Sequence, residues 1–304
     1  MGPSEPLAPA DTPTPDPSRL REGSLHLTAA GWTAEVRPEI GGSLAALRHR
    51  GEDILRPMPA AATSPLEAAC FPLAPYCNRI RAGRFTFAGR DIALPPNFPP
   101  EPHSLHGRAW QAAWTLESQA ENKCVLVHDY DGTGAWPWAY RAQQRIRLGP
   151  RGCAITLVLI NRSPEVMPAG LGLHPYFRRR PETVVGFASD HVLLSGIDPL
   201  PTGITAPADH FGDWSTGSEL PPETVDHCFA RWHGEAEVSD DLGTIRLEAD
   251  GVPHLHLYAP ADGSALCLEP VTHTPDAHNR APEELILLPP GCASSLTLRI
   301  ALSR

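Results

Sequence analysis

From about residue 24 onward, the apolar positions of this chain recur at a period of two, in short runs. Residues 24–28 (SLHLT), 254–258 (HLHLY) and 294–302 (SSLTLRIAL) alternate apolar and polar side chains, the pattern of strands with one buried face. Residues 84–94 (RFTFAGRDIAL) predict two short strands around an Ala-Gly turn. Residues 140–161 (YRAQQRIRL, GPRG, CAITLVLIN) predict a long hairpin. No stretch of about 12 or more residues carries a helical period. Residues 276–285 (DAHNRAPEEL) predict at most one short helical turn. The 35 prolines and 25 glycines punctuate the strands throughout, which suits an all-β sandwich or barrel.

Composition narrows the setting. With 41% hydrophobic and 20% charged residues in 304, the chain can bury a sizeable core. Residues 1–20 are different: proline, acidic and small side chains dominate, too little apolar surface to offset ordering entropy. The expected organisation is a disordered proline-rich tail over 1–20 and one β domain over 21–304, large enough to need two packed sheets. The net charge is −10 and the only lysine is Lys123, so neither nucleic acid nor an anionic membrane surface is an expected partner. No apolar run reaches the length of a membrane span, and the N-terminus lacks a signal peptide's basic start and apolar core. The seven cysteines are scattered and form no CxxC, which fits free thiols in a reducing cytoplasm. Oligomeric state is not readable.

The 14 histidines raise the question of a metal. Residues 103–106 (HSLH) have an HxxH spacing, and His254 and His256 share one face of a strand. Neither pair has a third ligand at a familiar spacing, so no metal site is expected. There is no G-x-S-x-G elbow, and the glycines of residues 170–177 (GLGLHPYF) lack the third glycine of a dinucleotide fingerprint. They are expected to permit close backbone packing instead. Two titratable residues stand directly before prolines: His174-Pro175 and Glu269-Pro270. Proline pushes the preceding residue into an extended conformation, so each side chain is aimed by stiff backbone.

Together these segments resemble the aldose 1-epimerase, or galactose mutarotase-like, family. The likeness is carried by N-R-I at 78–80 with G-x-F-x-F-x-G at 83–89, L-H-G at 105–107, H-P-Y-F at 174–177, D-x-x-F at 226–229, and L-E-P at 268–270 with Asn279 downstream. These occur in the family's order across most of residues 70–280. The stretch between His174 and Asp226 is short and proline-rich beside the larger members. The resemblance implies a large antiparallel β-sandwich, the galactose mutarotase-like supersandwich, with an open sugar-binding groove. It also implies a cofactor-independent isomerase that interconverts the α and β anomers of a free aldose.

That reaction opens a hemiacetal ring and recloses it on the other face. One group removes the C1 hydroxyl proton while another protonates the ring oxygen, and the two then exchange roles. By the resemblance, Glu269 is the base and His174 the acid. Arg79 is a donor near the reacting oxygens, and His106 binds or polarises the ring oxygen. Asp226 accepts sugar hydroxyls, and Asn78 and Tyr176 line the site. Trp110, Trp136 and Trp138 could stack on a sugar face but serve equally well as core. Two alternatives remain open. One is a hexose-6-phosphate 1-epimerase, with Arg81, Arg84 and Arg108 available for a phosphate. The other is a non-catalytic carbohydrate-binding or sensor module on the same fold.

Overall fold

Alternation in sequence becomes alternation in burial. The computed structural model describes residues 23–303; the tail expected over residues 1–20 lies outside them. The strand Tyr140–Gly149 pairs residue by residue with Gly152–Asn161, turning at residues 150 and 151, as the hairpin pattern predicts. Alternate residues of Gly152–Asn161 are buried, and the intervening ones face outward. Residues 84–94 form the strands Arg84–Phe87 and Arg90–Ala93, joined at Ala88 and Gly89. Both turn residues have positive φ, 50° and 75°, the geometry that matches a tight hairpin to strand twist. The alternating segments near both ends form the strands Leu25–Ala29 and Ala293–Ser303. The expected helical turn is Ala277–Arg280, followed by a 3-10 turn at Pro282–Glu284.

Two antiparallel sheets, of 11 and nine strands, carry most of the described residues. The core lies between them. Leu47, Leu173, Phe229, Leu255 and Leu268 come from the larger sheet; Leu126, Leu157, Leu247 and Leu298 come from the smaller one. All are essentially inaccessible to solvent. The nine-stranded sheet therefore reads as a half-buried sheet with one wet face.

The centre of the larger sheet behaves differently. Five of its strands bring polar side chains together: β1 (Cys70–Leu73), β2 (Gly172–Pro175), β3 (Val225–Ala230), β4 (His254–Ala259) and β5 (Cys267–Val271). In space they run β1-β2-β5-β4-β3, each antiparallel to its neighbours. Strands β1, β2 and β5 are buried on both faces. One face packs into the core. On the other, a smaller apolar cluster of Phe71, Leu73, Trp110, Tyr176, Cys267 and Val271 surrounds a set of polar side chains. Gly170 sits behind this region: a Cβ there would come within 2.2 Å of the His273 ring. The glycine thus allows the close packing that its sequence context suggested. Among the described residues, no helix is long and apolar enough to cross a membrane.

Candidate active site

Strand register assembles the site. His174 lies opposite Phe71 across β1–β2, and His256 lies opposite Glu269 across β4–β5. Between β2 and β5 the bridged pairs are Gly172 with Val271 and Tyr176 with Cys267. Antiparallel counting from either pair puts His174 opposite Glu269. Phe71, His174, Glu269 and His256 therefore form one row across four adjacent strands, on the face away from the core.

The His174 ring is held in a stack. Phe71 and Tyr176 both pack against it, with ring centroids 4.6 and 4.7 Å from the imidazole and planes tilted 24° and 19° from it, and the two lie 6.3 Å from each other. Trp110 stacks behind Phe71, and the Arg56 guanidinium lies 3.8 Å over the Tyr176 ring. With its plane fixed, the imidazole points Nε2 at Glu269 Oε1, 3.2 Å away. Both side chains are buried, and His174 Nδ1 and Glu269 Oε2 have no protein partner. Tyr176, expected to line the site, is itself buried and lies flat against the histidine.

The other residues arrive on loops over this row. Asn78 and His106 both have left-handed backbone, with φ of 55° and 56°, an uncommon conformation for residues with a Cβ. They are locked to each other: the Asn78 N–H donates to His106 Nδ1 at 3.0 Å, and the His106 N–H donates to the Asn78 carbonyl at 2.9 Å. Gly107 completes the turn at φ 71°, where a Cβ would meet the Ala74 carbonyl oxygen at 2.3 Å. Asn78 Oδ1 accepts from the Arg79 N–H, and Arg79 Nε donates to Glu101 Oε2 at 3.2 Å. Asp226 enters from β3, diagonal to the row. Its Oδ1 is 2.7 Å from His256 Nε2.

Burial sets the electrostatics. Desolvation, reinforced by the His256 charge, pushes the His174 pKa down to about 3. Desolvation pushes Glu269 up to about 7, with His256 and Arg79 pulling against it and Asp226 adding to it. His106 is held well below its ordinary value by burial and by His174 and Arg79. Asp226 and His256 move the other way. Burial raises Asp226, but the hydrogen bond and charge of His256 outweigh it and the net direction is down. Burial lowers His256, but the Asp226 bond and the charges of Glu269 and Asp226 outweigh it and the net direction is up.

The spaced histidines do not form the pairs that their sequence spacing invites. His103 Nδ1 accepts from the Ala82 N–H, away from His106's partner, and His254 and His256 turn to different acids, Glu284 and Asp226. Among the described residues, His106, His174 and Glu269 each bring one potential ligand atom within 4.8 Å of the others, a set that sequence spacing did not suggest. Their chemistry suits a hydroxylic guest better than a cation. Because His106 Nδ1 accepts a backbone N–H, its neutral ring carries the proton on Nε2, leaving a donor where a metal needs a lone pair.

A model of the aldose 1-epimerase family matches residues 24–301 of the chain. The chain belongs to the aldose 1-epimerase family. It is 31% identical to the uncharacterized protein YphB of Escherichia coli (strain K12) over 248 residues, 77% of this chain and 84% of that protein. A crystal structure from Escherichia coli K12 titled "Putative aldose 1-epimerase" superposes with a TM-score of 0.83 at 28% identity, covering 92% of this chain and 99% of that one. A galactose mutarotase-like protein from Clostridium acetobutylicum shares the fold at 18% identity, with a TM-score of 0.81 over 92% of this chain and 95% of its own. All seven site residues expected from aldose 1-epimerase motifs fall inside the matched span.

Those seven, Asn78, Arg79, His106, His174, Tyr176, Asp226 and Glu269, gather on one face. Sequence reasoning missed Phe71, Glu101 and His256. His256 has a signal, the polar face of HLHLY, but by itself that spacing points only to a metal ligand. Phe71 and Glu101 have none. The tryptophans considered as sugar platforms, Trp110, Trp136 and Trp138, are all buried.

Proposed function

We propose that this protein is an aldose 1-epimerase acting on free aldoses by general acid–base ring opening, without a cofactor. The observation that carries the reading is the 3.2 Å contact between His174 Nε2 and Glu269 Oε1, made by two buried groups side by side in one row of the sheet. As Glu269 takes the C1 hydroxyl proton, the C1–O5 bond breaks and His174 delivers a proton to O5, giving the open aldehyde. Rotation about C1–C2 presents the other carbonyl face. O5 then attacks C1, returning its proton to His174, and Glu269 reprotonates O1. No proton or electron is gained or lost overall. His106 and Arg79 supply donors for oxygens on which negative charge develops. Asp226 accepts sugar hydroxyls.

The resting proton inventory differs from the sequence-based expectation of an ionised Glu269 beside a protonated His174. Burial favours the uncharged arrangement, with the carboxylic acid donating to a neutral imidazole. The two arrangements hold the same number of protons and differ by one transfer along the Oε1–Nε2 line. The enzyme needs that one proton, whichever partner carries it at rest.

Free sugars are favoured over hexose 6-phosphates by the placement of the arginines. Arg81 lies beside Asp198 and Asp276, and Arg108 lines a separate hollow with Asn97 and Trp136. Arg84 stands on an exposed strand position of its own. Six buried free cysteines and one exposed one fit a cytoplasmic setting. The test is exchange NMR of anomeric protons over a panel of free aldoses and hexose 6-phosphates, with the native protein, His174→Ala and Glu269→Ala, all checked for folding. Accelerated exchange lost in both variants supports the reading. No acceleration by a folded protein that binds a sugar points to a sensor.

A further inference from the structure

His256 is a buried titratable residue at the centre of the site to which the acid–base scheme gives no task. It is 2% exposed, stands directly opposite Glu269 across β4–β5, and bonds Asp226 at 2.7 Å. We propose that His256 is a positioning residue of this site: it holds the Asp226 carboxylate for a sugar hydroxyl and provides the positive charge against which Glu269 ionises. The inference rests on the epimerase reading and adds a residue to it.

Geometry gives the first half. Asp226 Oδ1 is taken by His256, which leaves Oδ2 for a guest, and the Asp226 side chain is 21% exposed where that of His256 is 3% exposed. The carboxylate is thus fixed from inside and open from outside. A rigid acceptor loses less freedom on binding than a free one.

The second half comes from the groups that face Glu269. His174 and Tyr176 approach from the β2 side, His256 from β4 and Asp226 from β3; Arg79, His106 and Cys77 come from the loops above. Only His256 and Arg79 oppose the cost of ionising Glu269, and His256 contributes the larger share. Arg79 also shares its charge with Glu101. Asn78 Nδ2 lies 3.5 Å from His256 Nδ1, a contact that disfavours a proton there. It is long, and the Asp226 bond with the Glu269 and Asp226 charges raises His256 against burial.

The test is direct titration. Protein labelled with carboxyl-13C glutamate is followed by NMR, with the Glu269 signal assigned by Glu269→Gln, and the His256 ring is followed through its 15N shifts. His256→Gln keeps an N–H for Asp226 and removes the charge. The expected result is a His256 ring protonated at pH 7 in the native protein, and a Glu269 midpoint about one to three units higher in His256→Gln. The alkaline limb of kcat/KM should move the same way. A Glu269 midpoint that stays in place, or a neutral His256 ring at pH 7, overturns the proposal; a merely structural histidine would lower the rate without moving either midpoint. If His256→Gln fails to fold, Asp226→Asn serves: the His256 midpoint should fall, and a midpoint that stays in place counts against the pairing. If the native protein accelerates no sugar, the epimerase reading fails while the titrations still decide the charge relation.

Discussion

His174 and Glu269 face each other across a gap in the hydrogen-bond ladder of the larger sheet, and each is followed by a proline. The strand pairs on either side of them, Gly172 with Val271 and Tyr176 with Cys267, are bridged; the pair itself is not. Pro175 and Pro270 have no N–H to give to a ladder, and proline is normally kept out of central strands for that reason. Here two prolines remove backbone donors beside the two side chains that meet. The sheet continues on both sides, so the proposed acid and base are carried by stiff backbone where strand–strand bonding is interrupted.

Removing either partner should abolish most of the rate. His174→Gln and Glu269→Gln keep the size and a polar end but cannot carry the shuttled proton. Each should lower kcat/KM for anomer exchange by about 10²–10⁴-fold, the usual contribution of a positioned acid or base. The double variant should be little worse than either single one, because a shared proton is lost in both cases. Additive losses would mean that the two groups act independently.

The pH profile is set by the same pair. Glu269 rises to about 7 and His174 falls to about 3. Below about 7 the pair holds its one working proton, and above it that proton leaves, so activity should fall as pH rises through 7. A second proton, on His174, stops the reaction only near pH 3. The expected kcat/KM profile is a broad bell between these limits, wider than one set by a free glutamate and a free histidine. An alkaline limb beyond pH 9, or a flat profile from pH 5 to 9, would count against this assignment.

The fold class was legible because half-buried strands write their period into the sequence. The hairpin of residues 140–161 and the Ala88-Gly89 turn needed no tertiary information. His174 and Glu269 were legible as candidates because each stands before a proline, while their proposed roles as acid and base come from the resemblance to the family. Asp226 and His256 show what was not. They are 30 residues apart, and only the order of strands in the sheet brings them to 2.7 Å. Phe71 reads as an ordinary core residue until register places it against His174. The charge balance was hidden for a related reason: sequence gives a glutamate and a histidine their ordinary affinities, and burial on a doubly covered strand then pushes Glu269 up and His174 down.

The stack on His174 should matter through ring shape and not through the Tyr176 hydroxyl. Tyr176→Phe keeps the ring that lies 4.7 Å from the imidazole, and it should retain kcat within about twofold. Tyr176→Leu removes the stacking partner and frees the imidazole to tilt. An aromatic contact of about 0.5–1.5 kcal/mol corresponds to a loss of about twofold to tenfold in kcat, with KM changed less. Equal losses in both variants would assign the role to the hydroxyl instead.

Metal chelation should leave the rate unchanged. EDTA should not lower kcat/KM, since the proposed chemistry uses only protons already held by the pair. Loss of activity in EDTA with recovery on adding zinc would require a different mechanism.

Glu269 should cost the protein stability in a pH-dependent way. Its folded-state pKa lies at about 7, above the ordinary glutamate value of 4.5, so folding favours the protonated form. The native state then binds more protons than the unfolded chain between these values, and stability is lost as pH rises from about 4.5 through 7. The loss amounts to about 3 kcal/mol at most, from a difference of about 2.5 in pKa. Glu269→Gln cannot ionise, so it should match the native protein near pH 4.5 and exceed it in thermal stability at pH 8. The same substitution that removes activity should therefore raise Tm at alkaline pH. A Tm difference that is flat from pH 5 to 8, measured with the Asp226 and His256 side chains intact, would mean that Glu269 ionises freely in the folded site.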